Sequence, residues 1–174
     1  MNKINAITMV CLAAATFVGC SKTETAKPAA PPPDRYYMPT QAQPKLPTIK
    51  IYLGAEVLDT ELALTPRQEA TGMMFRTNIP EDDSMLFDLH VPQAASFWMT
   101  NCPVSESAAY ISPDGVIEEI HHFEKNDSIP VVATNNNILF VLETADGWFA
   151  RHNISVGTVI RGEKGSLPES IPPP

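Results

Sequence analysis

Three cysteines are too few for a disulfide framework. Cys11 lies in an apolar leader and Cys20 at its end, so Cys102 is left without a partner in the processed chain and the domain must rest on its core. Long apolar runs are also missing. The stretch from Ile7 to Val18 falls short of the roughly 20 residues a spanning helix needs, which leaves a secretory signal as its reading. Positive charge is scarce: 12 lysines and arginines face 20 acidic residues, for a net charge of -8. That balance argues against nucleic acid or anionic headgroups as partners. No internal repeat is present. His90, His121, His122 and His152 lack a tight ligand spacing for zinc. The acidic "PEDD" around Glu81 lacks the alternating oxygen spacing of a calcium loop, so neither metal nor cofactor is called for.

What is present at the start is "MNKINAITMVCLAAATFVGC". Residues 1–19 read as a lipoprotein signal peptide, with "FVGC" close to the lipobox at which a bacterial signal peptidase cuts before a lipidated cysteine; Phe17 departs from the aliphatic residue usual there. Cys20 is therefore the expected lipid acceptor and the membrane the expected partner through that anchor. The expected location is the cell envelope and, in a Gram-negative cell, where Ser21 fits sorting outward, the outer membrane facing the periplasm. Of 17 prolines, seven fall between Ser21 and Pro47 and four in the last twelve residues. Residues 20–47 accordingly read as a lipidated cysteine and semi-extended linker spanning roughly 60 to 80 Å. Residues 163–174 read as a second proline-rich tail, which leaves one domain at 48–162 with a single hydrophobic core.

Within that domain, "TIKIYL" and "EVLDTELAL" alternate with period two about "GA", the pattern of a hairpin. "TPRQEATGMMFR" carries helix-start chemistry: Thr65 at the N-cap, Pro66 at the first position, Gln68 at capping-box spacing and Gly72 as terminator. "MLFDL", "ASFWMTN", "SAAYI", "GVIEEIHHF", "ILFVLE" and "GTVIR" are strand-length pieces separated by turn residues, and "SPDG" joins two of them. "GWFARHN" reads as a second short helix capped by Asp146. The assembly expected is a mainly β, compact antiparallel sandwich or barrel with two short helices.

"SFWMTN" raises a question of facing. Strand alternation puts Phe97 and Met99 on one side and Trp98 on the other, so Trp98 suits a groove. Helical spacing gathers Trp148, Arg151 and His152 on one side, while burial in the core is an equal reading for Trp148. Glu119 and His121, two apart on one strand face, make a possible acid/base pair. Cys102 with His121 or His122 has the residue types of a thiol enzyme, with nothing in the spacing to place them together. Met73, Met74, Met85, Met99 and Cys102 offer soft sulfur suited to Cu(I), although methionine at such positions commonly fills core.

Five stretches in register resemble the domain of unknown function 192 family: "GMMFR", "MLF", "SFWMTN", "DGVIEEIH" and "VLETADGWFARHNISVG". The resemblance implies a compact, largely β fold and no established activity. Arg76, Trp98, Asn101, Glu119, His121 and Glu143 match the family pattern and, with Trp148, are the candidate binding-groove residues. Two positions depart from it: Thr100 stands where the family has lysine and Ser107 where it has aspartate. The reading is a lipid-anchored binding or accessory module for a small molecule or envelope polymer, with a small hydrolase using Glu119 and His121, or a Cu(I)-handling protein, as alternatives.

Overall fold

The computed structural model describes residues 37–172, so the leader, Cys20 and most of the linker lie outside the described residues. Among the described residues, ten strands and three short helices follow one another in the order β1 (Thr48–Leu53), β2 (Glu56–Ala63), α1 (Pro66–Thr71), β3 (Asp83–Gln93), β4 (Ser96–Phe97), β5 (Glu106–Ile111), β6 (Ile117–Phe123), β7 (Val131–Val132), β8 (Ile138–Ala145), α2 (Trp148–Arg151), β9 (Ile160–Gly162), β10 (Gly165–Ser166) and α3 (Leu167–Ser170).

The chain is mainly β, and its local starts follow the residues. β1 and β2 pair as a hairpin, Thr48 opposite Glu61 and Leu53 opposite Glu56. At α1 the Gln68 N–H donates to Thr65 Oγ1 at 3.3 Å, and the Thr65 N–H donates to Gln68 Oε1 at 3.1 Å, completing the capping box. Gly72 ends the helix at φ +48, and a Cβ there would meet the Phe87 ring at 3.3 Å. α1 returns the chain so that β3 lies parallel to β2. The sheet is therefore mixed, not antiparallel throughout, because a helix-containing crossover can bring the next strand back in the same direction.

Eight strands form one sheet in the order β10-β9-β1-β2-β3-β8-β5-β6, and β4 with β7 forms a separate pair. The large sheet curls until Val116, just before β6, bridges Val159, just before β9. Ile117 N–H to Thr158 O at 2.9 Å and Ile160 N–H to Gly115 O at 2.8 Å hold this closure.

Alternation gives the sheet two unlike faces. One packs Ile51, Leu53, Leu58, Leu62, Leu86, Ile111, Phe140 and Leu142 with Trp148 and Phe149 of α2. The other packs Met73, Met74, Met85, Phe87, Met99, Cys102 and Tyr110, with Phe97 against them. α2 differs from expectation in its start: Gly147, at φ 71, is the N-cap and no side chain caps it. Asp146 Oδ1 instead accepts from His122 Nδ1 at 2.8 Å. A left-handed entry turn needs glycine, and a Cβ at Gly147 would also lie 2.7 Å from Arg151 Nη1.

Packing continues beyond Thr48 and Gly162 on both sides. Leu46 packs on the second face, and the Gln43 amide donates to Gly72 O at 2.9 Å. Past Gly162, Leu167 of α3 is fully buried in the first core. α3 carries its own capping box between Ser166 and Glu169. This is the third helix, and its "SLPES" start has the same serine-to-glutamate spacing as any other box.

Candidate functional site

The second face of the sheet is where polar groups accumulate. Registers across five strands place Glu61, Met85, Glu143, Ala108 and His121 in one row. Glu106 lies two residues before Ala108 and therefore faces the same way. Three glutamates in this area are nearly sealed: Glu61, Glu106 and Glu143 expose 2%, 1% and 5% of their surface.

Each has a different solution to its burial. Glu61 is held by Arg76, whose two terminal nitrogens donate to its two oxygens at 2.8 and 3.0 Å. It also accepts the Leu46 N–H at 2.7 Å. This fork is a matched ion pair. Glu106 and Glu143 have no such cation of their own. Taken as carboxylates, both Glu106 oxygens are buried without a donor. The available partner is the Glu143 carboxyl beside it, and that contact is favourable only when a proton lies between the two. Burial pushes both groups up from the ordinary carboxylate range, and Arg76 nearby pulls both the other way; the charge of Glu106 and the hydrogen bond to it raise Glu143 further, whereas that hydrogen bond lowers Glu106. The pair therefore holds one proton under conditions where an exposed carboxyl would hold none.

A cavity of about 430 Å³ opens onto this floor, lined among others by Glu143, Cys102, Met73, Phe87, Phe97 and Trp98. One wall is α1 and the Gly72–Met74 turn; the other is the segment Gln93–Trp98. β4 stops at Phe97, so the strand geometry expected over "SFWMTN" covers only its first two residues. The alternation still delivers its outcome. Met99 is buried on the second face, Phe97 packs edge-on to Phe87 at 5.1 Å, and Trp98 is 46% exposed at the cavity wall.

Asn101 makes the turn that seats this cover. It adopts φ 64, a conformation asparagine tolerates. Its carbonyl accepts the Phe75 N–H at 2.8 Å, and its amide reaches Met74 Sδ at 3.9 Å. Arg76 reaches the row through Glu61 and does not line the cavity. Thr100, at the family's lysine position, keeps a buried hydroxyl without a partner.

Other candidates lie elsewhere. Glu119 and His121 are in contact at 2.8 Å, but outside the cavity lining. Glu119 Oε1 is occupied by the Thr134 N–H at 2.8 Å and hydroxyl at 2.6 Å, and the His121 ring packs on Tyr110 with centroids 4.8 Å apart. Trp148 is 1% exposed and belongs to the first core, on the opposite face from the cavity. It stacks on His152 at 4.4 Å as helical spacing anticipates. The Cys102 thiol is pushed up strongly by burial and by Glu106 and Glu143, which holds it as an unreactive neutral thiol, and neither His121 nor His122 acts on it. Among the described residues no group of three or more His, Cys, Asp or Glu side chains has the arrangement to hold a metal ion.

Glu61 and Glu106 were invisible as site residues in sequence. Glu61 sits in "TELAL" and Glu106 in "SESAAYI", each a lone charge beside apolar strand positions. A charge at an inward-alternating position is the signal that singles them out, once the inward side is known.

The class defined by these features is a small, curled mixed-sheet domain with an aromatic-walled cavity floored by a buried carboxyl. The chain belongs to the domain of unknown function 192 family, described as an uncharacterised ancient conserved region, whose model matches residues 49–162. Two of the solved structures that it resembles are as follows. A candidate transcription regulator from Sinorhizobium meliloti 1021 shares 26% identity with a TM-score of 0.65, covering 70% of this chain and 98% of its own. A protein of unknown function from Novosphingobium aromaticivorans DSM 12444 shares 29% identity with a TM-score of 0.64, covering 82% of this chain and 99% of its own. No curated protein matches.

Proposed function

We propose that this chain is a lipid-anchored binding module of the cell envelope, whose site is the cavity between α1 and Gln93–Trp98. The observation that carries the reading is Glu143: a carboxyl 5% exposed, lining a cavity of about 430 Å³, paired with the buried Glu106 carboxyl, whose two oxygens have no other donor among the described residues. Native proteins rarely leave such a group without a partner, and an apolar pocket with a few converging polar atoms is the usual form of a small-molecule site. Anchoring through Cys20 and the proline-rich segment after it fits a module held off a membrane surface.

The hydrolase reading through Glu119 and His121 has less support. Glu119 Oε1 takes two Thr134 donors and Oε2 faces His121, so no free carboxylate oxygen is directed at a substrate. The copper reading rests on the grouping of Met73, Met74, Met85, Met99 and Cys102 in one core. Met74 and Met85 sulfurs there already accept side-chain amides of Asn101 and Gln43. Transcription regulation, the description of the Sinorhizobium protein, is disfavoured here in any form that needs direct contact with DNA by the net charge of -8.

Nuclear magnetic resonance titration of the domain with a panel of envelope metabolites and muropeptides tests the site. Shifts should concentrate in Glu69–Met74 and Gln93–Trp98. Shifts centred on Glu119, His121 and Thr134 would transfer the site to the β6 edge. Radiolabelled palmitate tests the anchor: it should enter the wild-type protein and fail to enter Cys20→Ser, and absence of label in the wild type would remove the lipid from the account.

A further inference from the structure

The cavity has a one-sided electrostatic character. Among the described residues its lining includes the acidic Glu69 and Glu143 and no lysine, arginine or histidine. Glu69 is already in contact with His90 Nε2 at 3.1 Å. Arg76 is the cation whose charge acts on Glu106 and Glu143, and its fork is filled by Glu61. Among the described residues, the Glu143–Glu106 carboxyl pair is thus the buried polar group without a cation of its own. Phe87, Phe97 and Trp98 line the same cavity, and an aromatic face attracts a cation.

Three kinds of occupant would fare differently here. An anion would meet a desolvated acidic floor. A purely neutral apolar molecule would fill volume and leave the carboxyl pair without a cation. An ammonium brings three N–H donors and a positive charge to the one group that lacks both. Resting on the cavity as the binding site, we propose that its ligand is an organic primary amine with an apolar body, the ammonium seated on Glu143 in exchange for the proton that Glu143 and Glu106 share.

The exchange follows from the neighbours of Glu143. β5 contributes Glu106 and the Tyr110 hydroxyl, the latter committed to Val131 O at 2.6 Å. The turn after α1 contributes Arg76, backed by Glu61 of β2, and the segment before β5 contributes Cys102, a thiol that burial keeps protonated. β3 places uncharged Met85 opposite. Of these groups, only the carboxyl pair has a proton to lose near neutral pH. Two carboxylates beside each other are unfavourable until a cation joins them, and the arriving ammonium is that cation. The balance is simple: R–NH3+ enters, one proton leaves to solvent, and the charge of the site is unchanged.

Isothermal titration calorimetry on the full-length protein in detergent, with phenethylamine as probe and 2-phenylethanol and phenylacetate as controls, tests this. Phenethylamine should bind with release of about one proton, seen as a heat that differs between phosphate and Tris at one pH, and its Kd should fall by up to about tenfold per pH unit between about pH 6 and pH 8. Glu143→Gln should weaken it at least tenfold and abolish the buffer dependence. Binding of the amine with no proton release in wild type, a reading that needs no variant, overturns the exchange. Equal binding of 2-phenylethanol overturns the amine but leaves the cavity as a binding site. Failure of all three probes overturns the amine, and if the metabolite panel also leaves Glu69–Met74 and Gln93–Trp98 unshifted, the cavity falls with it.

Discussion

The two faces of the sheet are built from alternate residues of the same strands, yet they are chemically unlike. On the first, Leu58, Leu62, Leu86, Ile111, Leu142 and Trp148 meet with no charged group among them. On the second, Met73, Met85, Phe87 and Tyr110 share space with Glu61, Glu106 and Glu143, two of which have no cation of their own. A buried ionisable pair adds little stability compared with apolar residues of equal volume, and commonly lowers it. The first face is therefore the store of stability. The second gives some up to keep a polar floor beneath a cavity, which is the pattern expected where function and folding compete for the same positions.

The largest expected effect lies on the first face. Trp148→Ala should lower unfolding free energy by about 3 to 5 kcal/mol, since it removes a fully buried ring and its stack on His152. Urea denaturation reads this directly. A loss below about 1 kcal/mol would mean that the first core tolerates a cavity and is not the main support.

An intermediate effect of opposite sign is expected on the second face. Glu106→Leu replaces a buried carboxyl without its own cation, and should stabilise the protein at neutral pH by about 1 to 3 kcal/mol. Its pH dependence sharpens the contrast. A carboxyl raised in the folded state keeps its proton while the unfolded chain loses its own near pH 4, so the folded state binds more protons and stability falls as pH rises. Wild type should therefore lose stability from about pH 4 into the neutral range, and Glu106→Leu should flatten that slope. His122 and His152 are raised by their carboxylate neighbours and give a slope of the same sign. His122 is exposed and His152 partly buried, and both are common to the two proteins, so the difference between variants isolates the pair. An unchanged slope would show that Glu106 carries no unusual proton.

The smallest effect belongs to the cavity wall. Trp98→Ala should cost less than about 1 kcal/mol because its ring is 46% exposed. Phe97→Ala, one residue earlier and packed on Phe87, should cost about 3 kcal/mol. If Trp98→Ala proves the more destabilising of the two, the wall is core and the cavity loses its aromatic side.

What could be read from sequence was local. The Thr65–Gln68 box, the hairpin at Gly54 and the "SPDG" turn are set by residues within a few positions of one another, and the opposite facing of Phe97 and Trp98 follows from period two. The Asp146 cap fails because the glycine after it takes a left-handed turn that no spacing rule ranks above an aspartate cap. The parallel β2–β3 pairing depends on where α1 returns the chain. The carboxyl pair depends on more: Glu106 and Glu143 are 37 positions apart, with β5 beside β8 and both in one register, so that Ala108 stands opposite Glu143. Alternation says that Glu106 and Ala108 share a face; only the register says that the face is the one carrying Glu143.

The most direct test of the contrast between the faces is the side-chain carboxyl chemical shift of Glu106 and Glu143, followed by carbon-13 NMR across the pH range. The account predicts two linked titrations, with one proton retained between them at neutral pH and released well above the usual carboxylate range. Two independent titrations near pH 4, like those of exposed glutamates, would contradict it and leave the cavity floor an ordinary pair of carboxylates.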